Sequence, residues 1–215
     1  MRLTRHSPAD GMPQDPRVFG VAGDTLDPAA LTEAAKVLRA GGLVAFPTET
    51  VYGLGADATN PRAIERLNHV KGRPPEKPYS VHVHSVDQVR GYVRAIPPVA
   101  LRLIERFWPG PLTIVMPADN GQTVGFRFPN HPVARAFLQA CGVAVVAPSA
   151  NRSGMPPPTD AKEVLTALDG ALDCLLDGGP TQLGRESTVV EVRDGRVLVL
   201  REGAVAKGAV LAAAT

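Results

Sequence analysis

Apolar residues recur along this chain at two spacings, and the spacing separates helices from strands. After Asp27-Pro28, the positions Leu31, Ala34, Ala35 and Leu38 form one stripe that Gly41-Gly42 closes. A helix is predicted there, with Asp27 as its cap and Pro28 in its first turn, where a missing N–H costs nothing. Asn60-Pro61 followed by Ile64 and Leu67 repeats the signal, and stripes from about Pro98 to Phe107 and from Pro132 to Ala140 predict two further helices. Between them, the short apolar runs 43–46, 112–116 and 143–147 read as buried strands. Ser80-Val81-His82-Val83-His84 alternates as a half-buried strand, after which Ser85 is placed to cap a helix through Val86 and Val89. Residues 188–192 and 197–200 flank Asp194-Gly195, a dipeptide that accepts the positive φ angles of a tight hairpin turn. Alternating helices and strands predict a layered α/β domain, and the hairpin makes part of its sheet antiparallel.

The pattern fades at both ends. Pro8, Gly11, Pro13 and Pro16 interrupt a segment with little apolar periodicity. We expect a flexible arm over residues 1–22, one domain over 23–207 and an Ala-rich tail over 208–215.

At 215 residues the chain is long enough for a continuous core. With 44% hydrophobic and 20% charged residues, it has ordinary globular composition rather than that of a disordered segment or a coiled coil. Lys and Arg number 23 against 21 Asp and Glu, a net charge of +2, so bulk attraction does not mark a nucleic-acid binder and any cationic site must be local. Cys141 and Cys174 lack CxxC spacing and cannot build a disulfide framework, which fits a reducing cytosol. No apolar run follows the basic start, and none later approaches the roughly 20 residues of a membrane span. A cytoplasmic protein with no membrane partner is expected. The 21 Gly and 21 Pro exceed usual frequencies and cluster between apolar runs, predicting long, shaped loops.

Those loops carry the candidate chemistry. Lys71-Gly72-Arg73-Pro74-Pro75-Glu76-Lys77-Pro78 sets three cations on a backbone stiffened by prolines, suiting a polyanion such as a nucleotide triphosphate; the alternative is a solvated basic loop. Pro148-Ser149-Ala150-Asn151-Arg152-Ser153-Gly154 follows an apolar run, where open α/β sheets place ligand loops, although a Ser/Asn/Gly turn also satisfies its own backbone. Between Gly179 and Ser187, Arg185 and Glu186 stand where a phosphate loop needs Lys and Ser/Thr, so a P-loop is rejected. Gly53-Leu54-Gly55 lacks the third glycine of a dinucleotide fingerprint, and no GxSxG elbow or HExxH pair occurs. His82 and His84 would share one strand face, but no third ligand accompanies them, so no metal site is predicted. Trp108 in Trp108-Pro109-Gly110-Pro111-Leu112-Thr113 is expected in the core or a cavity wall.

Taken in order, Pro47-Thr48-Glu49-Thr50-Val51-Tyr52-Gly53-Leu54-Gly55, Lys71-x-Arg73-Pro74 with Lys77-Pro78, Trp108 to Thr113, Pro148-Ser149-Ala150-Asn151-x-Ser153-Gly154 and Glu186-Ser187-Thr188-Val189-Val190 closely resemble the YrdC/Sua5 family. The resemblance spans about residues 27–205. It implies a twisted α/β sheet of mixed strand direction, flanked by helices around a large basic cavity (YrdC/RibB-like). It also implies a nucleotidyltransferase that condenses L-threonine, bicarbonate and ATP into L-threonylcarbamoyladenylate, pyrophosphate and water, for the N6-threonylcarbamoyladenosine (t6A) modification of tRNA. Mg2+ accompanies ATP in this reading, and a downstream threonylcarbamoyl transferase complex acting on tRNA receives the product.

By resemblance, Thr50, His82, Arg127, Ala147 and Ser187 line the threonine side, with Arg127 the partner of the amino acid carboxylate. Arg73, Lys77, Thr123, Ser149, Asn151 and Arg201 match ATP-contacting positions, and Lys71, Arg73 and Lys77 form the catalytic basic loop. No protein nucleophile is required, because holding two mutually repelling anions in line is the main task. Tyr79 departs from the smaller aliphatic residue usual in the family, and Glu191 from the usual Asp. Longer Sua5-type members continue through a linker into a second domain, which is not expected beyond Thr215. Two alternatives stand beside this reading: a noncatalytic RNA-binding or ribosome-maturation module with weak RNA binding, and a carbamoyltransferase-type relative.

Overall fold

The computed structural model describes residues 15–21, 26–73 and 78–215. In chain order its elements are β1 (Arg17–Gly20), α1 (Pro28–Arg39), β2 (Val44–Phe46), β3 (Gly53–Asp57), α2 (Pro61–Lys71) and β4 (Val81–His82). A 3-10 turn over Val86–Gly91 follows, then α3 (Pro98–Phe107), β5 (Leu112–Pro117), β6 (Thr123–Arg127), α4 (Pro132–Cys141) and β7 (Val145–Val146). The chain continues through α5 (Ala161–Leu168), β8 (Cys174–Asp177), β9 (Thr188–Arg193), β10 (Arg196–Arg201) and α6 (Lys207–Ala214).

The helix starts obey the capping chemistry of the sequence. Asp27 Oδ1 accepts from the Ala29 N–H at 2.8 Å, and Asn60 Oδ1 accepts from the N–H groups of Arg62 and Ala63, each satisfying donors a first turn leaves open. The hairpin turn is also as expected, with Asp194 and Gly195 both at positive φ. Other expectations change. Ser85 makes no side-chain cap, and the segment it leads is a 3-10 turn rather than an α-helix. Residues 17–20 leave the expected arm and pair in parallel with β8, while most of the expected tail is the helix α6, which buries Val210. The strand at His82 is only two residues long, so His84 lies outside it and the two histidines do not share a strand face.

All ten strands join one mixed sheet in the order β1-β8-β2-β3-β7-β4-β6-β5-β9-β10. Pairings β1 with β8, β2 with β8, β4 with β6 and β5 with β9 are parallel, and the remainder are antiparallel. Strand residues alternate between two cores. Leu112, Ile114, Met116 and Phe126 join Leu67, Leu103, Val164 and Val210 of α2, α3, α5 and α6 on one face. Val44, Phe46, Val145 and Leu176 pack with α1 and α4 on the other. The helices of the second face lie over the β8, β2, β3 and β7 half of the sheet, which leaves the β4-to-β10 half of that face for the site.

Candidate functional site

Register builds the floor of the site. Residues paired directly across neighbouring strands point to the same face. His82 pairs with Arg127, Arg127 with Thr113, Thr113 with Val189, and Val189 with Arg201. This lateral row across five strands faces a cavity of about 620 Å3 and supplies side chains from residues distant in sequence. Val115, Gly125 and Thr123 continue the same face. Gly125 is needed there for space, because a Cβ would come within 2.6 Å of Ser80 Oγ.

One wall is the turn between β2 and β3. Thr48 Oγ1 donates to the Val51 carbonyl at 2.7 Å and accepts from the Thr50 and Val51 N–H groups, closing a hydroxyl-mediated turn. Its only proton is thereby used, so in the 2.8 Å contact between the two hydroxyls Thr50 is the donor. Glu49, between them, reaches Arg127: Oε1 accepts from Nη2 at 2.7 Å, and both side chains are almost wholly buried. Burial works against the Arg127 charge and the Glu49 carboxylate supports it. Arg127 also approaches Thr50 Oγ1 at 3.4 Å.

The pairing is incomplete. Among the described residues, the buried side-chain nitrogens and oxygens without a hydrogen-bond partner belong to Glu49, His82, Arg127, His131 and Thr181, and three of these side chains adjoin in the Arg127 corner. Burial, reinforced by the Arg127 charge, pushes His82 down to about 3, so its ring is neutral. Tyr52 secures the adjacent loop, its hydroxyl donating to the Gly179 carbonyl at 2.8 Å and accepting from the Gly178 N–H.

The opposite wall is anchored by Lys71 at the end of α2. Its Nζ donates to the Ser149 carbonyl at 2.6 Å, to the Asn151 carbonyl and to Asn151 Oδ1. Asn151 Nδ2 in turn donates to the Met155 carbonyl at 2.6 Å, which fixes the loop after β7. Burial, with the Arg73 charge second, lowers Lys71 to about 8, and Glu186 opposes that shift. Lys71 thus ties the Ser149 loop, a role different from that of a cation on an open basic loop.

Arg73 stacks on Tyr79 with its guanidinium 4.7 Å from the ring centroid and donates to the Pro78 carbonyl, while the Tyr79 hydroxyl donates to Asn68 Oδ1 at 2.8 Å. Arg201 donates through Nη1 to Glu186 at 2.8 Å and through Nη2 to the Ser187 carbonyl at 3.0 Å. Ser187 Oγ lies 2.9 Å from Thr113 Oγ1.

Thr50, Lys71, Arg73, His82, Thr123, Arg127, Ala147, Ser149, Asn151, Ser187 and Arg201 therefore all meet at one cavity. Lys77 lies outside the described residues. Trp108 is core, its indole N–H donating to the Leu112 carbonyl at 2.7 Å. Sequence reasoning assigned no role to Glu49, Thr48, Thr113 or Glu186. A buried arginine demands a carboxylate, and that requirement was the available signal for Glu49.

The fold and site define an open-sheet α/β protein whose cavity gathers arginines and a lysine from separated segments. Residues 36–203 match the Sua5_yciO_yrdC family, described as "Telomere recombination". The chain belongs to this Sua5/YciO/YrdC family. It is 42% identical over 193 residues to the threonylcarbamoyl-AMP synthase of Bacillus subtilis (strain 168), covering 85% of this chain and 56% of that protein. It is 39% identical over 184 residues to a putative threonylcarbamoyl-AMP synthase of Mycobacterium tuberculosis (strain ATCC 25618 / H37Rv), covering 81% and 84%. P. abyssi Sua5 complexed with L-threonine superposes with a TM-score of 0.86 at 37% identity, covering 91% of this chain and 60% of that one. The chain spans about half the length of several curated relatives it matches. No described helix is long and apolar enough to cross a membrane.

Proposed function

We propose that this chain carries threonylcarbamoyl-AMP synthase activity, a nucleotidyl transfer in which L-threonine, bicarbonate and ATP give L-threonylcarbamoyladenylate, pyrophosphate and water. The observation that carries the reading is the shared cavity, with Arg127 and Arg201 in the floor row and Arg73 and Lys71 on the wall beside it. In this reading the threonine amine and bicarbonate condense with loss of water to an N-carboxylate. That carboxylate attacks the α-phosphorus of ATP, and the bond to the β-phosphate oxygen breaks to release pyrophosphate. Nucleophile and electrophile are both anionic, so cations that offset their repulsion and fix their approach supply the principal acceleration.

Arg127 holds the threonine carboxylate, with Thr50, His82, Ala147 and Ser187 around the amino acid. A neutral His82 suits this corner, because a second cation there would add to the repulsion Arg127 already feels. Arg73, Arg201, Ser149 and Asn151 hold the nucleotide, with Thr123 at the floor and Lys77 completing the basic segment. Neither Ser149 nor Ser187 is hydrogen-bonded to a histidine among the described residues, which agrees with direct attack by substrate rather than an acyl-enzyme route.

Among the described residues lining the cavity, Glu186 is the carboxylate, an oxygen donor of the type a hard divalent cation carried by the nucleotide phosphates would accept. Mg2+ bound with the nucleotide would screen phosphate charge. Downstream, the product is a labile mixed anhydride suited to a transferase that modifies tRNA.

The test is pyrophosphate release from ATP in bicarbonate buffer with and without L-threonine, joined to mass-spectrometric detection of threonylcarbamoyl-AMP. Threonine-dependent release with that product is expected. Release that ignores threonine, or none, overturns the proposal.

A further inference from the structure

Thr113 is a hydroxyl between two valines on the cavity floor, with Arg127 its partner on β6. Its neighbours on the same face, Val115 along β5 and Val189 across the pair to β9, are valines, and a valine at 113 would fill the same volume with the same strand preference. Thr113 is nevertheless polar, 4% exposed, and directs Oγ1 to Ser187 Oγ at 2.9 Å. A buried hydroxyl pair of this kind restricts both rotors, since each O–H rotates to suit its partner. Ser187 is held from its other side as well, by Arg201 Nη2 at 3.0 Å from its carbonyl and 3.5 Å from its hydroxyl. Of these two holds, the one on the hydroxyl at short range is Thr113.

We infer that Thr113 is a positioning residue for amino acid recognition: it acts through Ser187, orienting that hydroxyl toward the bound L-threonine. The inference rests on the proposed activity and on Ser187 lining the amino acid side. The register adds the reason for its placement. Thr113 pairs laterally with Arg127, so the residue that orients the serine sits in the same row as the residue that receives the carboxylate. The β5–β6 pairing thereby sets both contacts at a fixed spacing.

Thr113→Val removes the hydroxyl and keeps the shape. The KM for L-threonine should rise about fivefold, the worth of one net hydrogen bond, while kcat and the KM for ATP stay within about twofold. Thr113→Ser should restore the wild-type KM. Ser187→Ala should raise the same KM, and the double variant Thr113→Val/Ser187→Ala should be no worse than Ser187→Ala alone, as expected when one residue works through the other. Calorimetric titration of L-threonine gives the same comparison without turnover, and thermal midpoints report folding. If Thr113→Val does not fold, Thr113→Ala is read in its place.

An active wild type with an unchanged threonine KM in Thr113→Val overturns this inference alone. So do additive effects in the double variant, or failure of Thr113→Ser to restore binding. A wild type that neither turns over nor binds L-threonine overturns the functional proposal, and this inference falls with it.

Discussion

Glu49 and Arg127 are separated by 78 positions, yet the site depends on their meeting. An arginine taken out of water needs a carboxylate, and breaking a buried pair leaves the survivor uncompensated. Glu49→Gln keeps the shape of the side chain and removes its charge. It should lower unfolding free energy by about 3 kcal/mol, measured by urea denaturation, and weaken calorimetric threonine binding because Arg127 loses its fixed orientation. Unchanged stability would mean the pair is not formed in solution.

His82 gives a prediction in pH. Its folded value is about 3 against an ordinary 6.5, so below 6.5 the unfolded chain takes up a proton that the folded chain refuses. The unfolded state binds more protons across that window, and stability must fall as pH drops from about 6.5 toward about 3. His82→Asn should flatten this part of a plot of thermal midpoint against pH. An equally steep slope in the variant would assign the acid sensitivity to other groups.

At the scale of elements, α2 and the loop after β7 are joined by one ammonium group. Lys71 Nζ serves the Ser149 and Asn151 carbonyls, and the Ser153 N–H donates back to the Lys71 carbonyl at 2.8 Å. Thus the end of a helix positions a loop 78 residues later that lines the nucleotide side of the cavity. Lys71→Met relieves the cost of burying a charge but leaves those carbonyls without their donor. The two effects oppose in stability, whereas loop geometry only loses. We expect a thermal midpoint within a few degrees of wild type and a KM for ATP raised about tenfold, the scale of one charge-assisted hydrogen bond. An unchanged KM for ATP would separate the tie from nucleotide binding.

For the whole molecule, the informative region is the first strand. The segment read from its prolines as part of an arm supplies β1, which covers the edge of β8, while Val21 beyond it is buried. An uncovered β8 would present unpaired backbone groups along a hydrophobic strand. Deleting residues 1–20 should therefore cost about 2 kcal/mol, from lost apolar burial, and promote association on heating. Scanning calorimetry with light scattering tests both; an unaltered transition would show that β1 contributes nothing to the fold. The floor of the site lies across the other half of the sheet, so threonine and ATP affinities should survive the deletion at temperatures where the protein is folded.

What the sequence determined by itself was local. Asp27-Pro28 and Asn60-Pro61 start helices because cap and proline act within one turn, and Asp194-Gly195 makes a hairpin because two backbone angles suffice. The motifs also named most of the residues that share the cavity. Strands without a strong pattern were illegible: β3 begins Gly53-Leu54-Gly55 and shows no strand alternation, while the strand predicted over 80–84 exists but is only two residues long, because strand identity and length there come from the neighbours that exchange its hydrogen bonds. Only the tertiary structure decided that Arg127 would pair with Glu49, that Lys71 would hold a loop, and that Thr113 would meet Ser187. Each is a contact between distant segments, fixed by strand register and by the need of buried polar groups for partners, and neither condition is written in any short stretch of chain.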